Sequence, residues 1–293
     1  FIGGGNPGVL GFERIKELLI SATELGKPEE VTVECNPEDI DMGIMTLEGL
    51  ADRISIGIQS MDDKVLKTLG RSLDSSTNYK ALKLLSSLPF KWNADIITAV
   101  PSERLEDTIS DIEIVSSFNP GHISFYCLTF EEGTPLIRRE KPISDEAEAE
   151  FLEKGWKKLE ELGYSHYEVS NFAKPGQECL HNKVYWNLGQ YIGLGPSAES
   201  ALGKSEMVVM RNTESLEEFF STHAFNCDML SVEETEESYL LTTLRTKYGI
   251  NKKEYKERFG KDFDSVYGER IAILDEKDYL DTSSSFSITE QGM

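Results

Sequence analysis

Apolar positions along the first half of the chain alternate between helical and strand spacing. Phe12, Ile15, Leu18, Leu19 and Ala22 predict a helix that the Gly26-Lys27-Pro28 stop ends. A second helix is predicted over 105–117. Short apolar runs predict strands at 31–35, 54–60, 94–100 and 122–128, and Phe1-Ile2 has the pattern of a strand end. Five strands with intervening helices indicate parallel βαβ units.

The second half of the chain has a different pattern. A helix is predicted over 145–163, then a strand at 167–169 and a polar loop over 171–177. After residue 205 come a strand at 207–210, helices at 214–220 and 233–246, and small helices beyond 250. We therefore expect a first domain over 1–205 and a mostly helical domain over 206–293.

Polar residues stand at the carboxyl ends of the predicted strands. They are Asn6, Glu34, Gln59, Asp95 and Thr129. In an α/β barrel the active site lies at that edge, so these side chains are expected to converge on one mouth. The alternative for each residue is a cap or turn within its own loop.

Composition narrows the class of protein. The chain of 293 residues has 52 acidic against 30 basic side chains, a net charge of -22, which disfavours a nucleic-acid groove. Apolar runs are shorter than the roughly 18 residues of a membrane span. Four cysteines lie far apart, as in reduced cytoplasmic proteins: Cys35, Cys127, Cys179 and Cys227.

Two short segments carry candidate chemistry. Gly3-Gly4-Gly5, followed by Asn6-Pro7, lets backbone amides approach an anionic or zwitterionic ligand, although a tight βα turn needs the same glycines. His181 precedes Tyr185 by four residues, so on a helix the imidazole, the phenol and the indole of Trp186 share a neighbourhood. That cluster could grip heme, with the imidazole as axial ligand, or could be a core Tyr-Trp pair beside a solvated histidine.

A series of motifs resembles the oxygen-independent coproporphyrinogen III oxidase family of radical S-adenosylmethionine (SAM) proteins. In chain order they are Gly3-Gly4-Gly5-Asn6-Pro7, Glu34-Cys35-Asn36-Pro37, Gly57-Ile58-Gln59-Ser60, Leu69-Gly70-Arg71, Asp95-Ile96-Ile97, His122-Ile123-Ser124, Gly133-Thr134-Pro135, Tyr167-Glu168-Val169-Ser170-Asn171 and His181-Asn182-Lys183-Val184-Tyr185-Trp186. The resemblance covers nearly the whole chain. It implies an α/β fold: a partial (β/α) TIM-like barrel lacking its first strand here, followed by the helical domain.

The resemblance also implies cofactor sites. Gly4, Gly5 and Asn6 would contact the methionine end of SAM, with further SAM contacts from Glu34, Gln59, Arg71, Asp95, Thr129 and Glu199. In the family, a [4Fe-4S] cluster on a CxxxCxxC motif reduces SAM to a radical. No three cysteines here have that spacing, and the family's motif precedes the glycine turn, so the cluster cysteines are expected upstream of Phe1.

Within the family, the HNxxYW motif resembles the HemW-type heme chaperone subgroup. The implied heme contacts are His181, Asn182, Tyr185 and Trp186, and the implied partners are heme or porphyrin, a reducing electron carrier and a heme-accepting protein in the cytoplasm. A coproporphyrinogen oxidase in porphyrin biosynthesis and a cluster-less barrel acting as a binding module are the alternatives. The resemblance implies a radical SAM oxidoreductase scaffold that cleaves SAM, whereas the HNxxYW motif argues against coproporphyrinogen oxidase activity itself.

Four residues depart from the family pattern. Asn6 stands where Thr is usual, Leu73 replaces the His of a GRxH motif, and Ala99 replaces Gly. Glu199 stands where the chaperone subgroup usually has His. The change from Thr to Asn keeps a hydrogen-bonding side chain. The change to Glu199 alters both charge and donor capacity at the predicted site.

Overall fold

The computed structural model describes residues 1–101, 103–277, 279–281 and 287–289. It divides into two compact units, one of Phe1–His166 with Ser170–Glu178 and the other of Tyr167–Val169 with the chain from Cys179 onward. The predicted domain boundary after residue 205 differs from this division and stays a prediction. Within the described ranges, no helix combines the length and apolar character needed to cross a bilayer.

A six-stranded sheet forms the centre of the first unit, apart from the last two residues of its β5 strand, which belong to the second unit. Its strands are β1 (Thr32–Cys35), β2 (Arg53–Gln59), β3 (Lys91–Thr98), β4 (His122–Cys127), β5 (Ser165–Glu168) and β6 (Asn171–Ala173), in the order β1-β2-β3-β4-β6-β5. The first four pair in parallel, and β6 runs antiparallel to β4. Ile2 forms a parallel bridge with Val33 and continues the sheet beyond β1.

Helices connect the parallel strands. They are α1 (Phe12–Thr23), α2 (Asp63–Thr68), α3 (Ser75–Leu85), α4 (Leu105–Ser117), α5 (Pro135–Arg139) and α6 (Asp145–Glu161), with 3-10 turns at Pro7–Leu10, Pro37–Asp39 and Met42–Leu47. Asp62, Asp74 and Ser144 cap α2, α3 and α6 by accepting from backbone N–H groups. These are the predicted βα units, and the α/β fold class is confirmed.

The two faces of the parallel sheet differ in polarity. Ile54, Ile56 and Ile58 of β2 alternate with polar residues and are fully buried in the apolar core. The intervening side chains of β2 and β3, such as Ser55 and Asn93, lie on the other face. This polar face of the parallel sheet, called the inner face below, carries the candidate site.

The second unit combines helices with a small antiparallel sheet. It contains α7 (Leu180–Trp186), β7 (Glu199–Gly203), β8 (Met207–Asn212), α8 (Leu216–Thr222), β9 (Phe225–Leu230), α9 (Val232–Thr243), α10 (Lys252–Phe259), α11 (Phe263–Asp275), β10 (Leu280–Asp281) and β11 (Ser287–Ile288). β7, β8 and β9 form a three-stranded sheet. The buried core of the second unit includes the aromatic residues Tyr239, Tyr255 and Phe259 of α9 and α10.

Two local predictions need correction. The segment 171–177, expected as a polar loop, begins with β6, because Asn171, Phe172 and Ala173 are buried against β4. The strand expected at 207–210 extends to Asn212 and pairs with β7 and β9, neither of which was predicted. Phe225-Asn226-Cys227-Asp228-Met229 alternates apolar and polar residues, so the sequence does carry a strand signal for β9, although most of the strand is solvent-exposed.

Candidate functional site

The glycine turn lies beside the end of β1. The N–H of Ile2 donates to Thr32 and the N–H of Glu34 donates to Ile2, which holds the segment before the turn in the sheet. Gly4 and Gly5 have φ angles of 86° and 114°, a region that glycine reaches without steric cost. The N–H of Gly4 donates to Oε2 of Glu34 at 3.2 Å. The turn and the carboxylate therefore form one local structure at the strand end.

The side chain of Asn6 stabilises the turn that follows the glycines. Its side-chain amide donates to Asp39 at 2.7 Å, and its Oδ1 accepts from the N–H of Gly8 at 3.1 Å, capping the following 3-10 turn. Both ends of this side chain are used within the protein. The prediction that Asn6 contacts SAM stays a prediction.

Gln59 ends β2 in a strained backbone conformation. Its φ is 67°, in the left-handed region that non-glycine residues adopt at an energetic cost. The side chain is 5% exposed, and its Oε1 has no hydrogen-bond partner among the described residues. A buried amide oxygen without a partner is costly, so this position suits a ligand that donates a hydrogen bond.

Gly57 leaves room for three converging side chains. A Cβ placed on Gly57 would lie 2.7 Å from Nε2 of Gln59, 3.6 Å from Nη2 of Arg71 and 3.8 Å from Oδ1 of Asn36. Arg71 also donates to Asn36 at 3.4 Å. The predicted residues Gln59 and Arg71 therefore meet over one backbone position, together with Asn36, which the strand-end argument did not single out.

Asp95 stands in the inner-face polar network. In the sheet it pairs with Gly57 on one side and Ser124 on the other. Its Oδ1 accepts from the amide of Asn93 at 2.7 Å, and the Ser124 hydroxyl also bonds its carboxyl group. Burial raises the pKa of Asp95, while these donors and the nearby charge of Arg71 act to lower it.

The charges at the mouth act on one another. Burial raises the pKa of Glu34, the Gly4 hydrogen bond opposes that rise, and the neighbouring Asp95 carboxylate adds to it. Burial raises the pKa of the Tyr126 phenol on β4. The nearby charges of Asp95 and Glu34 raise it further, and the charge of Arg71 lowers it. Tyr126 was missed because it precedes the strand end, but its place on the inner face follows from strand alternation.

Thr129 follows β4 and lines a cavity of about 690 Å³ in the first unit. The other lining residues are Leu69, Gly70, Glu131, Thr134, Pro135, Leu136 and Arg139. Such a volume accommodates a small-molecule group, and the mixed lining suits a ligand with apolar and charged parts. Gly70 directly precedes Arg71, so the cavity adjoins the loop that carries this predicted SAM residue.

Helix α7 holds the HNxxYW motif in the second unit. The rings of His181 and Tyr185, one helical turn apart, meet edge to face at 4.7 Å between centroids. Tyr185 makes a similar contact with Tyr191 at 4.6 Å and remains 39% exposed. Asn182 and Trp186 of the same helix are partly buried. The structure thus brings the imidazole and the phenol of the expected cluster together, and Tyr191 joins them. The heme contacts of His181, Asn182, Tyr185 and Trp186 stay predictions.

Glu199 belongs to the second unit, on β7. It accepts from the phenol of Tyr191 at 2.8 Å and pairs with Arg211 at 2.9 Å. These two donors outweigh partial burial and lower the pKa of the carboxyl group. The residue that replaces the subgroup's usual histidine is thus an ion-paired carboxylate linked through Tyr191 to Tyr185. Its assignment to SAM stays a prediction.

The chain matches known proteins over most of its length. Residues 1–115 match the Radical SAM superfamily. The heme chaperone HemW of Lactococcus lactis is 29% identical over 308 residues, covering 100% of this chain and 80% of that protein. HemW of Escherichia coli is 35% identical over 222 residues, covering 73% of this chain and 58% of that protein. The E. coli coproporphyrinogen III oxidase HemN superimposes with a TM-score of 0.81 at 18% identity, covering 99% of this chain and 74% of that one.

The parallel half-barrel with its polar mouth is that of a radical SAM protein. Within this superfamily the chain belongs to the HemN/HemW-like proteins.

Membership in this family implies SAM and a [4Fe-4S] cluster as cofactors. The mouth fits SAM, since an open glycine turn, the unpartnered Gln59 oxygen and groups of both charges lie together there. The described residues do not fit a cluster, since no three His, Cys, Asp or Glu side chains among them are grouped to hold a metal ion.

Proposed function

We propose that this chain binds SAM at the mouth of its parallel sheet, binds heme at α7, and passes heme to another protein. The convergence of Gln59 and Arg71 over Gly57, beside Glu34 and Asp95, is the observation that supports the SAM site. Arg71 would pair with the SAM carboxylate. Glu34 and Asp95 would accept from its ammonium or hydroxyl groups, and Gly4 and Gly5 leave space for the methionine end.

Equilibrium dialysis with labelled SAM tests the first part. The Arg71→Ala protein is expected to bind SAM at least about tenfold more weakly, because a charged hydrogen-bond partner is lost. Arg14→Ala, at an exposed position of α1, is the matched control and should bind as the native protein does. Equal affinity of all three proteins would contradict the site.

The heme part is supported by the aromatic group on α7. His181 would contact the iron, while Tyr185 and Trp186 would form a wall for the flat ring and Asn182 would add a polar contact. The relatives that carry the name heme chaperone favour this assignment. In hemin titrations, His181→Ala should bind at least tenfold more weakly than the native protein. His223→Ala, an exposed histidine in the same unit, is the control. Equal affinity of native and His181→Ala protein would rule out the heme assignment.

A separate assay tests for coproporphyrinogen oxidase activity. Anaerobic incubation of protein carrying an intact cluster with SAM, reductant and coproporphyrinogen III should yield no CO2 or protoporphyrinogen if the protein handles heme only. Formation of these products would favour the oxidase instead. A binding module without SAM chemistry would retain hemin affinity but fail to bind SAM in the dialysis experiment.

The proposed heme transfer needs two protein partners, a reducing electron carrier and a heme acceptor. A net charge of -22 would favour a basic partner by electrostatic steering. Transfer from the hemin-loaded chain to a basic acceptor should then slow as ionic strength rises. A cytoplasmic location is part of the proposal and accords with four cysteines that lie far apart in the sequence.

A further inference from the structure

A buried hydrogen-bonded chain leads from the interior of the sheet to Asp95. Asn93 lies two residues before Asp95 on β3, so both side chains are on the inner face. The Asn93 amide nitrogen lies 2.7 Å from Oδ1 of Asp95 and 2.8 Å from the hydroxyl of Ser55. Its Oδ1 lies 2.5 Å from Nδ1 of His122. Asn93 and His122 are 5% and 2% exposed, so water does not compete for these contacts.

The protonation state of His122 limits the hydrogen bonds that its ring can make. Burial, reinforced by the positive charge of Arg53, lowers the pKa of His122 to about 3, so the imidazole is neutral near neutral pH. A neutral imidazole has one N–H donor, and an amide oxygen can only accept. With the Asn93 oxygen facing His122, the proton is therefore assigned to Nδ1.

The contact with Asp95 sets the orientation of Asn93. An amide turned by 180° would place its oxygen 2.7 Å from an oxygen of the Asp95 carboxylate, so that two acceptors would face each other. The Asp95 contact therefore excludes that orientation. The donors of Asn93 therefore face Asp95, where they favour the ionised carboxylate against the effect of burial.

We propose that Asn93 and His122 are positioning residues of the SAM site: His122 fixes the Asn93 amide, and Asn93 holds Asp95 as a carboxylate that accepts from the ligand. This inference rests on the proposed SAM site. The other groups that act on Asp95 are Arg71, Glu34 from β1, and Ser124 and Tyr126 from β4. All of them remain in the variants below.

The test is the pH dependence of SAM affinity. In Asn93→Leu, which has similar volume but no donor, Asp95 should take up a proton at higher pH. The midpoint at which affinity is lost on acidification should then rise by about one pH unit. His122→Leu should shift it in the same direction, whereas His122→Asn, which can place an N–H near the Nδ1 position, should restore it. Thermal unfolding of each variant checks that it is folded.

Unchanged midpoints in folded Asn93→Leu and His122→Leu proteins, with native SAM binding intact, would overturn this inference alone. Absence of SAM binding by the native protein would instead reject the proposed function. In that case NMR of 15N-histidine-labelled protein still tests whether His122 fixes the Asn93 amide. A proton on Nδ1 of His122 in the native protein, with an Nδ1 signal that changes in Asn93→Leu, supports this contact. A proton on Nε2 in the native protein overturns it.

Discussion

The backbone N–H of Gly4 and the carboxylate of Glu34 are joined by a hydrogen bond of 3.2 Å. This contact spans 30 residues and connects the glycine turn with the strand that follows α1. Since Glu34 also lies near Asp95 and Tyr126, one side chain shapes the turn and contributes charge to the mouth. Its two roles can be separated by substitution.

Glu34→Gln is expected to keep the turn and weaken SAM binding. The glutamine oxygen can still accept from Gly4, but the negative charge is lost, and hydrogen bonds to charged groups contribute about 1.5 to 3 kcal/mol. We expect a loss of affinity of about 10- to 100-fold in equilibrium dialysis. Glu38→Gln, at an exposed position nearby, is the control. Native affinity in Glu34→Gln would show that the charge does not serve the ligand.

Gly57→Ala is expected to disturb the ligand site more than the fold. Its new Cβ would lie 2.7 Å from Nε2 of Gln59, so the buried amide must move away from its present position. We expect SAM affinity to fall about tenfold, on the scale of one displaced hydrogen bond. Gly268→Ala is the control, because a Cβ there meets open space on α11. If both variants bind SAM equally well, Gln59 is not a ligand residue.

The sequence predicts the helices and strands of the first unit better than it predicts the side-chain contacts of the candidate SAM site. Helix 105–117 has the predicted bounds, since its apolar spacing and its Pro101 and Asn119-Pro120 flanks are local signals. The orientation of Asn93 and the meeting of Gln59 with Arg71 depend on strand register, which no single segment encodes. The contact between Tyr191 and Glu199 likewise depends on how β7 pairs and could not be predicted from sequence spacing.

Ala99, which stands where the family has Gly, adopts a strained backbone conformation. Ala99 has a φ of 61° directly after β3, where glycine would be unstrained. Ala99→Gly is therefore expected to raise the free energy of unfolding by about 1 kcal/mol, since the left-handed conformation costs other residues about 1 to 2 kcal/mol. Denaturant titration measures this. Ala272→Gly on an exposed face of α11 should instead destabilise by about 1 kcal/mol.

Glu103 connects the loop after β3 to α4. Its carboxylate accepts from the N–H of Val100 at 2.9 Å and from the hydroxyl of Thr108 at 2.7 Å. Burial raises the pKa of Glu103 to about 7, from an ordinary value of 4.5. Between these two pH values the folded state binds more protons than the unfolded state, so this group's contribution to stability falls as pH rises.

Glu103→Gln should remove that loss. The glutamine oxygen can still accept from Val100, but no buried charge forms above pH 7. The difference in unfolding free energy between Glu103→Gln and native protein should therefore increase from pH 4.5 to pH 7, by at most about 3 kcal/mol, and then level off. Urea titrations across this pH range measure it. Glu106→Gln, at an exposed position of α4, is the matched control. A difference that stays constant with pH would mean that Glu103 titrates alike in the folded and unfolded chains.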